Sequence, residues 1–258
     1  MHQYKIATWN VNSLRVRLPH VLAWLTRVKP DVLALQETKL LDADFPVDAI
    51  REAGYEVIFS GQKTYNGVAI LSRSKMADIV TDIPDMDDIQ RRVLVGVVDG
   101  IRLVNLYIPN GESVGSDKYQ YKLNWLNKLD SFLKQELKKY SRLIVLGDFN
   151  IAPHDIDVYD PKRWQGKVLF SEPERNAFQA MLDVGLHDCF RTLHPAEKIF
   201  SWWDYRTYAF SQQLGLRIDH ILASDALISH CKKSYIDTEM RKAERPSDHA
   251  PVIAEFGF

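Results

Sequence analysis

The chain has little cysteine: two in 258 residues, Cys189 and Cys231, far apart and without partner-like spacing. A disulfide-stapled scaffold is excluded, a zinc or redox motif is not read, and two buried thiols in a reducing compartment are expected. No apolar run is long enough to span a bilayer. Met1–Ile6 runs straight into a strand-like segment with no basic region and apolar stretch of a secretory leader, so a soluble, cytoplasmic protein is expected. Internal repeats and low-complexity tracts are also missing. Charge of one sign is lacking too, since 33 basic and 34 acidic residues leave a formal net charge of −1. A protein that holds nucleic acid by bulk charge is basic, yet basic loops around an acidic centre also sum to near zero. Charge therefore decides nothing about that partner.

What is present is an ordinary globular composition, 46% apolar and 26% charged. It is enough for one domain over residues 1–258 with a sizeable core and no staples. Apolar, β-branched runs recur at Tyr4–Trp9, Asp31–Leu35, Gly67–Leu71, Val93–Val98, Leu103–Ile108, Leu143–Leu146, Ile218–Leu222, Ser234–Thr238 and Val252–Phe256. Several are continuous rather than alternating, as in strands covered on both faces. Leu18, Val21, Leu22, Leu25 and Val28 fall at helical spacing, with Pro19 near the start and Pro30 as a stop. Leu126, Leu129, Leu133 and Leu137 predict a second helix. Ser171 with Glu174 predicts the start of a third, and Gly185 its end. Strands outnumber helices, which predicts two stacked sheets with helices outside. Asp31–Glu37 and Arg142–Asp148 each read as a strand ending in a carboxylate, placing both acids at one rim.

Polar residues concentrate at such strand ends: Trp9–Arg15, Leu35–Lys39, Leu146–Asn150 and Pro246–Pro251. A hard divalent cation takes oxygen ligands, and magnesium is usually content with one or two carboxylates plus water and phosphate. Glu37 with Asn10 or Asp248 suits such an open site. Singly, each segment reads first as a turn, because Asp and Asn favour turns. Their joint presence with Gly215–His220 points instead to chemistry.

At this point the chain resembles the exonuclease III-type AP endonucleases, within the DNase I-like endonuclease/exonuclease/phosphatase superfamily. The resemblance is carried in family order by Trp9–Arg15, Leu35–Lys39, Gly61–Lys63, Gly67–Ala69, Gln90–Arg92, Gly147–Asn150, Phe200–Arg206, Gly215–Ser224 and Pro246–Pro251. It implies an α/β fold, a four-layer sandwich of two packed mixed β-sheets flanked by helices. It implies Glu37 as principal metal carboxylate, with Asn10 and Asp248 nearby and Asp148, Asn150 and His249 in reach of the metal. Asp148 would activate water or protonate the leaving oxygen. Asn150 would orient water, His249 supported by Asp219 would contact phosphate, and Tyr107 matches an active-site tyrosine. The metal is Mg2+, with Mn2+ as a substitute. Asn12 stands where some relatives have an aspartate, which argues for one essential ion.

The same resemblance implies double-stranded DNA with abasic sites or 3′ ends as partner, and a monomer. Asn110, Trp202, Leu216 and Ile218 are then the substrate-binding residues, the last three lining an apolar pocket for an extruded abasic sugar. Tyr159–Lys167 and Lys118–Lys122 mix basic and aromatic residues and read as DNA-contacting loops. Two other readings stay open: a phosphatase or phospholipase of the superfamily, and a DNA-binding module without catalysis.

Overall fold

The computed structural model describes residues 3–84, 86 and 88–258. Twelve strands form two six-stranded sheets. The first sheet holds β1 (Gln3–Asn10), β2 (Val32–Gln36), β3 (Glu56–Ser60), β4 (Val68–Ser72), β11 (Cys231–Ile236) and β12 (Val252–Gly257), in the order β11-β12-β1-β2-β4-β3. The second holds β5 (Ala77–Val80), β6 (Val93–Val98), β7 (Ile101–Tyr107), β8 (Leu143–Asp148), β9 (Leu186–Asp188) and β10 (Asp219–Ser224), in the order β5-β6-β7-β8-β10-β9. Each sheet has one parallel pair near its middle, β1 with β2 and β7 with β8, and antiparallel neighbours elsewhere.

The sheets face each other across Ile6, Ala34 and Ile70 from one side and Leu103, Ile144, Leu146 and Ile221 from the other, all at most 1% exposed. Outside the first sheet lies α1 (Leu14–Val28), packed through Val21, Trp24 and Leu25. The short α2 (Val47–Glu52) adds Ile50 to the same cluster. Outside the second sheet lie α3 (Asp117–Lys139) and, beyond the single turn of α4 (Pro161–Trp164), α5 (Glu172–Asp183). The short α6 (Cys189–Leu193) and α7 (Asp225–Ile228) complete the chain's helices among the described residues. The expected four-layer arrangement is therefore what forms. No helix among the described residues is long and apolar enough to cross a membrane.

Polar pins cross between the sheets next to the site. Gln36 donates to Asn105 at 2.7 Å, and Asn105 donates to the carbonyls of Leu35 (3.1 Å) and Ala69 (2.9 Å). Each such bond contributes about 0.5–1.5 kcal/mol net, whereas each buried Leu or Ile contributes about 1.5–3 kcal/mol. Apolar burial holds the sheets together, and the pins set where they sit.

Two local readings of the sequence need correction. Pro19 lies inside α1, five residues after its first residue, on an exposed face of the helix. Lys118–Lys122 is not a loop but the opening of α3, with Tyr119 and Lys122 buried. As expected, Cys189 and Cys231, distant in sequence, are buried free thiols. Ser171 does cap α5 reciprocally with Glu174, and Gly185, at a φ of 100°, follows its end.

Candidate active site

The parallel pairs deliver their carboxyl ends to one rim. Asn10 closes β1, Glu37 follows β2, Tyr107 closes β7 and Asp148 closes β8, with Asp219 paired to Asp148 across β10. Open α/β sheets place ligand sites at such strand ends. Local backbone turns aim the side chains. Glu37 and Asn150 have φ of 52° and 49°, values uncommon for residues other than glycine. Asn150 tolerates its conformation and donates its backbone N–H to Asp148 Oδ1 at 2.9 Å. Gly147 lets β8 press onto β7: a Cβ there would sit 1.9 Å from the Leu106 carbonyl oxygen. Any side chain at 147 displaces Asp148 from Tyr107.

Glu37, Tyr107, Asp148, Asn150, Asp248 and His249 line one cavity of about 320 Å³, with Asn10 and Asp219 behind them. Among the described residues, Glu37, Asp148 and His249 have donor atoms within 4.8 Å of one another. Asn10 bridges the first two, its amide donating to Glu37 Oε1 (2.8 Å) and Asp148 Oδ2 (2.9 Å), while its oxygen accepts from the Asn12 backbone. Asn10 thus faces both carboxylates as a donor. Lys39 reaches Glu37 Oε2 at 2.8 Å and Asn12 Oδ1 at 2.6 Å. A cationic group already balances this carboxylate, and two carboxylates so close together suit a divalent cation.

Asp248 sits in the wall with both oxygens engaged, by Asn12 at 2.9 Å and by the Trp202 indole at 3.0 Å. Asn12 therefore works as a linker between Lys39 and Asp248. An aspartate in its place would lose the donor and set two carboxylates against each other.

His249 Nδ1 lies 2.9 Å from Asp219 Oδ2, and its Nε2 lies 3.7 Å from Asp148 Oδ2. Asp219 is held in turn by Ser201, whose hydroxyl donates to it at 2.6 Å and accepts the N–H groups of Ile218 and Asp219. Burial alone would push the His249 imidazole down, but the carboxylates of Asp219 and then Asp148 outweigh it and raise it from 6.5 to about 10. Burial raises the Asp148 carboxyl from 3.8 to about 7, partly offset by the His249 charge. Burial, then Glu37 and Asp148, hold the Tyr107 phenol well above its ordinary value, so it stays a donor; Arg92 stacks over its ring at 4.7 Å.

Both raised groups bind protons more tightly folded than unfolded, which fixes the sign of the pH dependence. The His249 contribution is complete below about pH 6.5 and lost as pH rises through about 10. The Asp148 contribution is complete below about 3.8 and lost as pH rises through about 7. Thermal unfolding in excess EDTA should therefore show a midpoint that falls from pH 5 to pH 9. Asp148→Asn should flatten the lower part of that fall. A midpoint rising over this interval in both proteins would reverse the assignment.

Two expected pocket residues lie elsewhere. Leu216 and Ile218 are 0% and 1% exposed, packed behind the wall with Ala152, Val158 and Phe170. The apolar surface facing the cavity comes from Trp202, as expected, with Trp164, Val168 and Leu169. Asn110 lines the cavity and donates to Asn150 Oδ1 at 3.1 Å. Lys162, Arg163 and Lys167 are exposed on the segment that carries Trp164. Ser201 and Lys39 were legible only as members of quoted segments, without a role; nothing in a lone serine marks it as the support of a distant aspartate.

Comparison with known proteins agrees with the fold. Residues 7–249 match the model of the endonuclease/exonuclease/phosphatase family. Exodeoxyribonuclease III of Haemophilus influenzae is 39% identical, over 98% of this chain and 99% of the relative. The 3′ phosphatase NExo from Neisseria, solved with a product DNA hairpin, is 49% identical with a TM-score of 0.98, over 99% of this chain and all of that one. An AP endonuclease from Archaeoglobus fulgidus is 40% identical with a TM-score of 0.96, over 99% of this chain and all of that one. The chain belongs to the endonuclease/exonuclease/phosphatase family and, within it, to the exodeoxyribonuclease III enzymes, which are nucleases.

Proposed function

We propose that this nuclease, a cytoplasmic monomer, repairs double-stranded DNA. It hydrolyses the phosphodiester 5′ to abasic sites and removes nucleotides or blocking groups from 3′ ends. The observation that carries the reading is the buried line Asp219–His249–Asp148, whose last two members share one cavity with Glu37. Mg2+, or Mn2+ in its place, would be held by Glu37 with Asp148 in reach, while the protonated His249 stands beside the ion as a neighbour and not as a ligand. When bound, such an ion supplies positive charge for a developing phosphate transition state.

The chain's own groups supply the rest. Asp148, with its carboxyl raised to about 7, is matched to take the proton of the attacking water near neutral pH. The Asn150 amide orients that water and the phosphate. His249, kept protonated by Asp219, offers Nε2 as a positive donor where equatorial oxygens gain charge. The Tyr107 phenol donates beside it. Trp202, Trp164 and Leu169 form an apolar wall suited to a sugar without a base. The exposed Lys162, Arg163 and Lys167 meet phosphates outside the cavity.

The test is one purified preparation on matched duplexes carrying an abasic site, a nick, a 3′-phosphate or a blunt end. Incision 5′ to the abasic site with a 3′-hydroxyl product, together with 3′ trimming, is expected. Cleavage of phosphomonoesters of inositol with none of DNA would transfer the protein to the phosphatases of the superfamily.

A further inference from the structure

The catalytic cavity is stiffened from behind by an ion pair that touches no solvent. Lys122 of α3 and Glu174 of α5 are both 0% exposed and meet at 2.5 Å. A buried pair of this kind is costly to desolvate and is weak support for stability alone. Its remaining hydrogen bonds show where it acts. The Lys122 ammonium also donates to the backbone carbonyls of Asn150 at 2.7 Å and Asn110 at 3.1 Å. Those are the two asparagines whose side chains meet in the cavity at 3.1 Å. Glu174 accepts from the backbone N–H of Leu169, which lines the same cavity, and of Ser171.

One ammonium thus joins the segment after β7, the segment after β8 and, through its carboxylate, the segment before α5. Asn150 sits in a left-handed backbone conformation, and its carbonyl has to be held if its amide is to keep one direction. Burial pushes the Lys122 ammonium down from its ordinary value, while Glu174 and then Asp148 oppose this. The pair is therefore electrostatically linked to the reacting carboxylate as well.

We propose that Lys122, paired with Glu174, is a positioning residue for phosphodiester hydrolysis: it fixes the carbonyls of Asn110 and Asn150 and so aims their amides at the attacked phosphate. The inference rests on the role given to Asn150 above.

The test is steady-state kinetics on abasic duplex with Lys122→Met combined with Glu174→Gln, which avoids leaving a lone buried carboxylate. A misplacement of about 1 Å costs up to about 100-fold, so kcat should fall by about 30-fold or more with KM within about threefold. A purely structural pair would lower the melting midpoint and leave kcat of the folded fraction intact. The same replacements placed on Asn150→Ala should lower kcat less than about threefold further, since groups acting through one another are not additive. Losses that multiply, or a folded double variant with normal kcat, overturn the inference while Asn150→Ala alone is impaired. If Asn150→Ala alone turns over normally, the site reading fails and the inference falls with it. Should the double replacement not fold, Lys122→Arg carries the same cycle, because a guanidinium keeps the charge but not the paired reach to both carbonyls.

Discussion

Exhaustive dialysis against EDTA should abolish cleavage, and Mg2+ or Mn2+ should restore it. The reason lies in the distances around Glu37. Two carboxylates, Glu37 and Asp148, present oxygens within 4.8 Å of one another, bridged by the Asn10 amide. Without a divalent ion, Lys39 balances Glu37 at 2.8 Å but lies on the side facing Asn12. A single ammonium supplies one charge and no open coordination position for phosphate oxygen. Glu37→Gln keeps the shape and one oxygen while removing the carboxylate's negative charge. It should raise the half-saturating Mg2+ concentration by about tenfold or more, with much of the maximal rate recovered at high Mg2+. Full cleavage by the stripped protein in EDTA would remove the metal from the mechanism.

Asp148→Asn and His249→Ala should each lower single-turnover cleavage by about 10²–10⁴-fold, the range for losing an acid–base or electrostatic group. DNA affinity should change far less, because neither buried residue belongs to the exposed basic segment. Asp219→Asn should reproduce part of the His249→Ala loss. The amide can still contact Nδ1, but it withdraws the leading charge that raises the imidazole. Combining Asp219→Asn with His249→Ala should add little to the greater single loss, since the two residues act as a unit. Near-normal single-turnover rates in either His249→Ala or Asp148→Asn would sink the corresponding role. Independent, multiplying losses for Asp219 and His249 would dissolve the pair.

The central strands were legible because both their faces are covered, which writes a continuous apolar run into β2, β4, β6 and β8. The strands that escaped notice lie at sheet edges. β3 and β5 are partly or largely exposed, and β9 has three residues, so none carries a sustained pattern. The acids at strand ends were readable from local order alone. Facing direction was not: Leu216 and Ile218 are apolar like a pocket wall, but their neighbours Val158 and Phe170 cover them. Lys122 read as a DNA-contacting cation because its partner stands 52 residues away. Long-range pairing of that kind leaves no local mark.

Asn10 and Glu37 belong to the first sheet's strand ends, and Tyr107, Asp148 and Asp219 to the second's. The span between the Glu37 and Asp148 carboxylates is therefore a gauge of inter-sheet spacing, closed at 2.9 Å by Asn10 on Asp148. Neither half is expected to work as a separate fragment, for each sheet supplies part of the cavity lining. A core that loosened while its strands survived would pull the two carboxylates apart. Turnover would then register a loss of packing to which the far-ultraviolet dichroism of the strands is blind.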